Sequence, residues 1–542
     1  MNILSKYCYL LLLLTATIFC NGSDDSPEFV SYEKFGAKGD GKTDDQLAIA
    51  AAHDFANAAN LPVKVKDNAR YYIGGGDRAI VIMTDTDFGN AQFTIDDRKV
   101  KKINRPVFVV KSRRKHYKLK ELTSLYRNQN KLPLLLKSDS LIVLNNNKIK
   151  RFIRYGVNAN AGKAQTDIII VRKDGTISKD TPLAWDFEQI TGNTVYPIDR
   201  KQLIVKGGTF TTIANQEPGP HKYYSRNMQI TRSNVLISNI THKVIEPDKP
   251  HSFPYSGFIS ISNCCNVTVQ DCVLSGRKVY KTVKPNSKST STGTYDISLS
   301  RAANIRFVNC TQTNDILDSQ YWGIMGSNYC KNLEYDRCKL SRFDAHCGVY
   351  NATIKNSIIG RGGISVTGYG TLTVENTTVY AWNFITLRAD YGSFWRGNIK
   401  ISNSTFIPAA GKKIANAAII SGNYADHHNF GYACYMPENV LVENLTVRDG
   451  NHLPGYKGLS VFSMFNVKLH NNRKYKEIYP SIKPGQVTVK GIKTASNKKI
   501  ALSPNKYMFK NVKFVDEDRK QRSKERSQAQ TDRKNSNRRA KK

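Results

Sequence analysis

The sequence predicts an all-β fold in which the chain winds into a long parallel β-helix, and three observations support this prediction. A seven-residue motif recurs eight times between Asn234 and Leu445. Each copy alternates apolar and polar residues with the period of two that is typical of a β-strand. The shortest intervals between copies are 19 and 20 residues, which is enough for one coil of two or three short strands. Such a coil buries its inner face only by stacking on its neighbours.

The motif reads approximately Asn-apolar-x-apolar-x-(Asn or Asp)-(small or Cys). Its copies are NVLISNI from Asn234, NVTVQDC from Asn266, NIRFVNC from Asn304, NLEYDRC from Asn332, NATIKNS from Asn351, TLTVENT from Thr371, NIKISNS from Asn398 and NVLVENL from Asn439. The longer intervals between copies indicate coils that carry loop insertions.

The last position of the motif predicts a ladder of small side chains inside the β-helix. It is occupied in six copies by Cys272, Cys310, Cys338, Ser357, Thr377 and Ser404. Neighbouring coils lie about 4.8 Å apart, so these side chains would stack on one another. We expect buried free thiols there, with a disulfide between adjacent coils as the alternative.

A glycine-rich turn and a helix precede the repeats, in the segment FGAKGDGKTDDQLAIAAA from Phe35 to Ala52. The glycines suit a tight turn, and residues from about 45 to 59 suit a helix with Leu47 and Phe55 facing inward. This motif resembles the N-terminal part of the pectate-lyase-like superfamily, which includes polygalacturonases, polysaccharide lyases and phage tailspikes. The resemblance implies a right-handed parallel β-helix whose N-terminal capping α-helix blocks strand pairing at that end. Because the superfamily hosts several chemistries, the resemblance does not define the reaction.

The chain is predicted to hold one β-helix domain from 26 to 515, with its cap at about 31–60 and coils to about 450. Residues 100–135 are rich in Lys and Arg and are interpreted as an insertion. The last residues, 516–542, are basic and lack apolar periodicity, which predicts a disordered tail.

The first residues, 1–20, have the features of a secretory signal peptide, with a positive charge at Lys6 and an apolar run from Leu10. Cys20 is alternatively the lipidated cysteine of a bacterial lipoprotein, although the residues before it match that pattern poorly. No later stretch has the roughly 20 apolar residues of a transmembrane helix. We therefore expect a bacterial protein that is secreted, periplasmic or held at the outer membrane by a lipid.

The net charge of +37 indicates a polyanionic partner. From Arg519 onward the chain has 11 Lys and Arg against two acids, a net +9, which leaves +28 for the rest. Outside the cell, a basic body of this kind is typical of a protein that meets an acidic polysaccharide. No basic motif with interleaved aromatic residues is present, so we expect no nucleic-acid partner. We expect a monomer.

The segment RFDAHCGVY, residues 342–350, is predicted to be one strand of a coil with an apolar inner side and a titratable outer side. Aligning the strands that precede each motif places Ile297, Ile324 and Cys347 at equivalent inward positions. The candidate catalytic residues on the outer side are His346, Tyr350 and Arg388, which then share one face within roughly 10 Å.

A lyase acting on a uronic acid needs a base for the C5 proton, a group that neutralises the adjacent carboxylate, and an acid for the leaving oxygen. In our prediction His346 is the base, Tyr350 is a base or an acid, and Arg388 or Arg342 neutralises the carboxylate. The residues expected to bind substrate are Arg342, Asp344, Asp296, Trp322, Tyr391 and Arg396. This mechanism requires no cofactor, although the acidic residues Asp296, Asp315 and Asp318 leave a Ca²⁺ site open.

Two alternatives remain. A polygalacturonase-like hydrolase would use paired carboxylates, such as Asp315 with Asp318 or Asp344 with Asp390, but the signatures of that family are missing. A non-catalytic β-helical adhesin would also explain the charge. The basic body favours a substrate more charged than pectin, and in this respect the chain is similar to β-helical lyases that degrade chondroitin or hyaluronan. The sequence therefore predicts a polysaccharide lyase that cleaves a glycosaminoglycan such as chondroitin sulfate or hyaluronan by β-elimination.

Overall fold

The structure of the protein is a computed structural model. It describes residues 28–154, 161–216, 223–245, 254–278, 280–282, 290–292, 294–319, 321–423, 426 and 428–539. The predicted signal peptide, with Cys20, lies outside the described residues.

Three ladders of parallel strands run along the molecule, and the chain visits them in turn, so each set of three strands is one coil. Ladder 1 contains Val63–Lys64, Thr86–Asp87, Leu203–Lys206, Val235–Ser238, Cys265–Gln270, Ala303–Val308, Gly368–Glu375, Trp395–Ser402, Asn439–Glu443, Gln486–Lys490 and Lys513–Asp516. Ladder 2 contains Asp40–Asp44, Arg70–Ile73, Gln92–Asp96, Thr209–Ile213, Thr241–Ile245, Val273–Leu274, Thr311–Gln312, Thr378–Val379, Thr405–Phe406, Thr446–Val447 and Lys493–Thr494. Ladder 3 contains Ile80–Ile82, Phe108–Val110, Met228–Ile230, Ile259–Ser262, Ile297–Ser300, Ile385–Leu387, Ala417–Ser421 and Leu459–Phe462.

Three longer strands bend from one ladder into the next without a loop. They are Met325–Asp336, Lys339–Lys355 and Ile358–Val366. These are the coils with the shortest repeats, which leave no residues for a connecting loop. The parallel β-helix predicted from the motif is thus confirmed, and one apolar core runs along its axis.

The asparagines of the motif lie at the two corners that flank each ladder 1 strand. Asn234, Asn266 and Asn304 have the left-handed backbone conformation at the first corner, and Asn309 and Asn356 have it at the second. Among non-glycine residues Asn adopts this conformation most readily. Neighbouring asparagines also stack, and Asn304 Nδ2 donates to Asn266 Oδ1 at 2.9 Å. The motif therefore encodes the turns of the coil.

The ladder of small side chains is present inside the second corner. Cys272, Cys310 and Cys338 are buried free thiols. The ladder continues beyond Cys338, whose backbone N–H donates to Ser357 Oγ at 3.0 Å.

A helix, Gln46–Ala59, covers the N-terminal end of the coils, as predicted. Its buried side chains include Ile49, Ala52 and Ala56, whereas Leu47 and Phe55 are exposed, so the predicted inward direction of these two residues is wrong. Asn57, and not Phe55, lies on the side of the helix that faces the first strand of ladder 3.

A separate antiparallel sheet interrupts the β-helix between Phe108–Val110 and Leu203–Lys206. Its strands are Ser140–Arg151, Lys163–Val171 and Gly192–Pro197. One face has its own apolar core, which includes Leu125 and Phe187. The other face packs on the coils. This insertion is considerably longer than the predicted segment 100–135.

Two short antiparallel strand pairs lie outside the three ladders: Arg277–Lys278 with Tyr321–Gly323, and Tyr280–Thr282 with Thr290–Thr292. The other described helices are Val467–Asn471 and Glu517–Arg539 and the 3-10 turns Glu33–Phe35, Ala389–Tyr391 and Pro408–Gly411. None of the helices in the described ranges is long and apolar enough to cross a bilayer.

The C-terminal part differs from the prediction in two ways. Coils continue to Lys513–Asp516, beyond about 450, because the last ladder 1 strands begin with Gln486 and Lys513 where the motif has Asn. The basic tail forms the helix Glu517–Arg539. Its Lys, Arg, Gln and Glu residues are good helix formers, and the acidic first turn suits a helix N-terminus.

Candidate active site

The candidate site lies where the strand Lys339–Lys355 bends from ladder 2 through ladder 3 into ladder 1. Ser327 of the preceding coil is opposite Ala345, and Asn328 is opposite Cys347, so His346 is an extra residue in a β-bulge. A bulge redirects the side chains on either side of it. Cys347 consequently leaves the main core, although the predicted alternation placed it inside.

Asp344 is the centre of the site. Its carboxylate is completely buried and lies 3.0 Å from Arg342 Nη2, 3.0 Å from His346 Nε2 and 2.7 Å from Arg388 Nη1. Burial alone would raise the pKa of Asp344, but Arg342, Arg388 and His346 outweigh burial and hold it well below its ordinary value. Asp344 is therefore a permanent negative charge that positions three cationic or titratable groups.

Arg388 extends this arrangement to the insertion. It donates through Nε and Nη2 to both carboxylate oxygens of Asp390, at 3.1 and 2.9 Å. Arg154, from the end of an insertion strand, reaches the same Asp390 at 2.8 Å. Burial lowers the pKa of Arg388, but Asp344 and Asp390 raise it more, so it is raised overall.

We call these six residues the Asp344 cluster: Arg154, Arg342, Asp344, His346, Arg388 and Asp390. Its three guanidinium groups outnumber its two carboxylates, so the cluster carries one net positive charge when His346 is neutral. A site with this balance is complementary to an anionic group.

His346 is the imidazole of the cluster, and its side chain is accessible, at 17% exposure. With the proton of neutral His346 on Nε2, facing Asp344, Nδ1 is the nitrogen that accepts a proton. Tyr295, from two coils earlier, lies beside it across Gly326, with its hydroxyl 3.4 Å from His346 Nε2. Burial, followed by the charge of Asp344, raises the pKa of Tyr295, so its hydroxyl keeps its proton at neutral pH.

Tyr350 and Arg396 lie in a different place from the Asp344 cluster. Tyr350 comes after the corner at Gly348 and stands in one ladder 1 column with Tyr369 and Arg396. Lys331 Nζ lies 5.7 Å from the centre of the Tyr350 ring. Of the three predicted catalytic residues, the structure brings together His346 and Arg388 but not Tyr350.

Asp296 is also apart from the cluster. It is completely buried, and its carboxylate lies 2.7 Å from His242 Nδ1 and accepts a hydrogen bond from the Ser275 N–H at 2.7 Å. The structure thus places Asp296 inside the coils, away from the outer face on which substrate contact was predicted. The predicted alignment of the two strands was wrong by one residue, because Ile297 pairs with Met325 and not with Ile324.

The remaining predicted residues are Tyr391 and Trp322. Tyr391 is nearly buried and packs between the cluster and Cys347, whose sulfur lies 3.6 Å from the Tyr391 hydroxyl. Its ring lies 5.4 Å from the Arg154 guanidinium and 5.6 Å from that of Arg388. The side chain of Trp322 lies outside the described residues.

The insertion supplies parts of the site that the sequence did not predict. Phe152 packs against Cys347 and Tyr391, and Arg154 binds Asp390. The insertion is fixed to the coils by a buried ion pair, with Lys331 Nζ 2.8 Å from Asp167 Oδ1. No local motif marks these residues, because their partners are more than 150 positions away in the sequence.

Within the described residues, no group of three or more His, Cys, Asp or Glu side chains is arranged to hold a metal ion. Asp315, one of the acids considered for calcium, caps its own turn by accepting from the Leu317 N–H at 2.9 Å.

Comparison with known proteins supports the fold. The chain matches the tailspike gp61 of Pseudomonas phage phi297 with a TM-score of 0.51 and 12% identity, over 90% of this chain and 84% of that chain. It matches the tailspike gp49 of Pseudomonas phage LKA1 with a TM-score of 0.50 and 14% identity, over 88% of this chain and 83% of that one. No protein-family model and no curated protein sequence matches the chain. The chain is thus a parallel β-helix protein similar in fold to phage tailspikes.

Proposed function

We propose that the protein is an exported polysaccharide lyase that cleaves an acidic, uronic-acid-containing polysaccharide by β-elimination. The observation that carries this proposal is His346, held by the buried Asp344 beside Arg342 and Arg388. A histidine held in position by a buried carboxylate is a suitable general base.

The chemistry assigns one role to each group. His346 Nδ1 takes the C5 proton of the uronate, and the electrons of that C–H bond form the C4–C5 double bond. The C4–O4 bond breaks, and the leaving O4 takes the proton of the Tyr295 hydroxyl. Arg342 and Arg388 stabilise the negative charge that builds up on the uronate carboxylate. Tyr295 thus takes the role of acid for which the sequence suggested Tyr350.

The cluster is poorly suited to hydrolysis by paired carboxylates. A hydrolase needs one protonated carboxyl as its acid. The pKa of Asp344 is lowered by its arginine neighbours, and Asp390 is bound by Arg154 and Arg388. Asp344 is thus held as a carboxylate and is not a proton donor at neutral pH.

The basic body supports a glycosaminoglycan such as chondroitin sulfate or hyaluronan as the substrate. A cluster with net positive charge on a chain of net charge +37 attracts a polymer that has one charge or more per disaccharide.

The test is incubation of the purified protein with chondroitin sulfate, hyaluronan, heparin and polygalacturonate, while the absorbance of unsaturated uronate is followed. We expect His346→Ala to reduce kcat at least about 100-fold, since a positioned general base contributes about that much or more. Tyr295→Phe should also lower kcat. Tyr350→Phe separates the two assignments, because a loss there with full activity in Tyr295→Phe would favour the acid predicted from the sequence.

The other functions give different results in the same experiment. New reducing ends without unsaturated uronate would indicate a hydrolase. Binding of the polymer without any cleavage would indicate a polyanion-binding adhesin. Full activity in both His346→Ala and Tyr295→Phe would show that the Asp344 cluster is not the active site. Exposed Tyr126, changed to Phe, serves as the matched control.

A further inference from the structure

Positive charge is concentrated at the C-terminal end of the molecule. Residues 457–516 contain 13 Lys and Arg against Glu477 and Asp516, a net +11. Residues 517–542 contain 11 more against four acids, a net +7. These 86 residues therefore carry +18, about half of the charge of the whole chain.

In the last coils, residues 457–516, most of the basic side chains are exposed. The exposed lysines of the last coils include Lys490, Lys493, Lys499, Lys506, Lys510 and Lys513. Lys483, which is partly buried, pairs with Glu477, whereas the six exposed lysines just named have no acidic partner within 4.0 Å among the described side chains. A surface with so few counter-charges keeps a strong positive potential.

The C-terminal helix continues this surface. The carboxylate of Asp518 accepts from the Gly491 N–H at 2.8 Å, so the helix Glu517–Arg539 begins between Lys490 and Lys493. At 23 residues it is about 34 Å long. Ala529 is its single apolar residue, so it has no stripe to bury in a core.

We infer that the last coils and this helix form a second binding surface, separate from the Asp344 cluster, for an extended acidic polysaccharide. The helix has no apolar face with which to enter a membrane. It has no aromatic side chain on which a nucleic-acid base could stack. What its sequence offers is a high density of Lys and Arg, which binds a linear polyanion by releasing its counterions. This inference rests on the charge of the C-terminal end and does not depend on the proposed lyase activity.

Retention on immobilised heparin tests the surface, with the NaCl concentration at elution as the measurement. One variant ends after Asp516, and a second carries Lys490→Gln, Lys493→Gln and Lys513→Gln. The matched control carries Lys34→Gln, Lys38→Gln and Lys66→Gln, three exposed lysines at the opposite end. We expect the first two variants to elute at clearly lower salt and to bind heparin at least about 10-fold more weakly at 150 mM NaCl. The reason is that each lost contact reduces the number of counterions released on binding. The control should elute close to the unmodified protein.

Other outcomes would overturn the inference. Equal retention of all variants would show that the charge elsewhere on the molecule binds heparin. Tighter binding to duplex DNA, or to vesicles of phosphatidylserine and phosphatidylcholine, than to heparin at the same salt would assign the surface to another partner. His346→Ala should keep full retention, so a failure of this surface and a failure of the proposed active site can be distinguished. Circular dichroism of each variant confirms that the coils are folded.

Discussion

At the scale of single residues, the candidate site depends on one inserted residue and one buried charge. The bulge at His346 lets the strand present both His346 and Cys347 outside the main core. Asp344, completely buried, then joins His346 to the two arginines. A strand with regular alternation would present only every second side chain to this side.

Replacement of Asp344 by Asn should destabilise the protein strongly. It leaves Arg342 and Arg388 with one carboxylate fewer in a buried place, which typically costs about 3 kcal/mol or more in the free energy of unfolding. Urea unfolding at pH 7 measures the loss. Asp77→Asn, which removes an exposed partner of Lys102, is the matched control and should cost little.

The loss of stability caused by Asp344→Asn should depend on pH. The pKa of Asp344 is lowered in the folded state, so its stabilising effect is complete above the ordinary Asp pKa of about 4. The effect is lost as the pH falls below that value toward the lowered folded pKa. The stability difference between the unmodified protein and Asp344→Asn should therefore be constant from about pH 7 to 5 and should shrink in more acidic solution. A constant difference throughout would contradict the ion-pair network.

At the scale of elements, the sequence predicts the strands and corners that belong to the repeat, and it predicts poorly the segments that do not. The asparagine corners could be identified because Asn adopts the left-handed conformation more readily than other non-glycine residues, although Asp271 and Arg337 take it in two of the coils. The register of ladder 3 was misplaced by one residue, since Ile324 and Met325 are both apolar and both buried. His346 and Arg388 could be predicted to share one face because they lie within two coils of each other. Tyr295 and the contacts of the insertion with the site were missed because these positions depend on contacts between distant segments.

The insertion should be fixed to the coils mainly by the ion pair of Lys331 with Asp167. Both side chains are almost fully buried, at 1% and 2% exposure. Burial lowers the pKa of Lys331, and Asp167 acts in the opposite direction by favouring the charged amine. Lys331→Ala leaves Asp167 as an unpaired buried charge, so we expect a loss of about 3–5 kcal/mol in the free energy of unfolding.

The double variant Lys331→Met with Asp167→Leu tests whether the unpaired charge causes this loss. Replacing a buried ion pair by apolar residues of similar size is often neutral. The double variant should recover most of the stability lost by Lys331→Ala, as measured by urea unfolding. Lys355→Ala, which removes a partly exposed partner of Glu334, should cost less than about 1 kcal/mol. If the double variant were as unstable as the single one, packing and not charge would fix the insertion.

At the scale of the whole molecule, the two ends of the β-helix avoid edge-to-edge pairing in different ways. At the C-terminal end, Lys490, Lys493 and Lys513 repel a second copy. At the N-terminal end, the capping helix occupies the hydrogen-bonding groups of the first ladder 3 strand. Asn57 Nδ2 donates to the Val81 carbonyl at 2.7 Å, and Asn57 Oδ1 accepts from the Met83 N–H at 2.9 Å.

Removal of residues 28–60 should therefore cause self-association of otherwise folded coils. The deletion exposes the backbone groups that Asn57 satisfies, together with the apolar residues beneath Ile49 and Ala56, and such an edge is a template for a second chain. Sedimentation velocity over a range of protein concentrations measures the association. The variant that ends after Asp516 is the control and should stay monodisperse, because the lysines of the last coils remain. If the protein without its cap sedimented as one small species at all concentrations, the helix would serve only to bury core residues. Association of both variants would instead indicate that the C-terminal helix, like the N-terminal cap, protects an open strand.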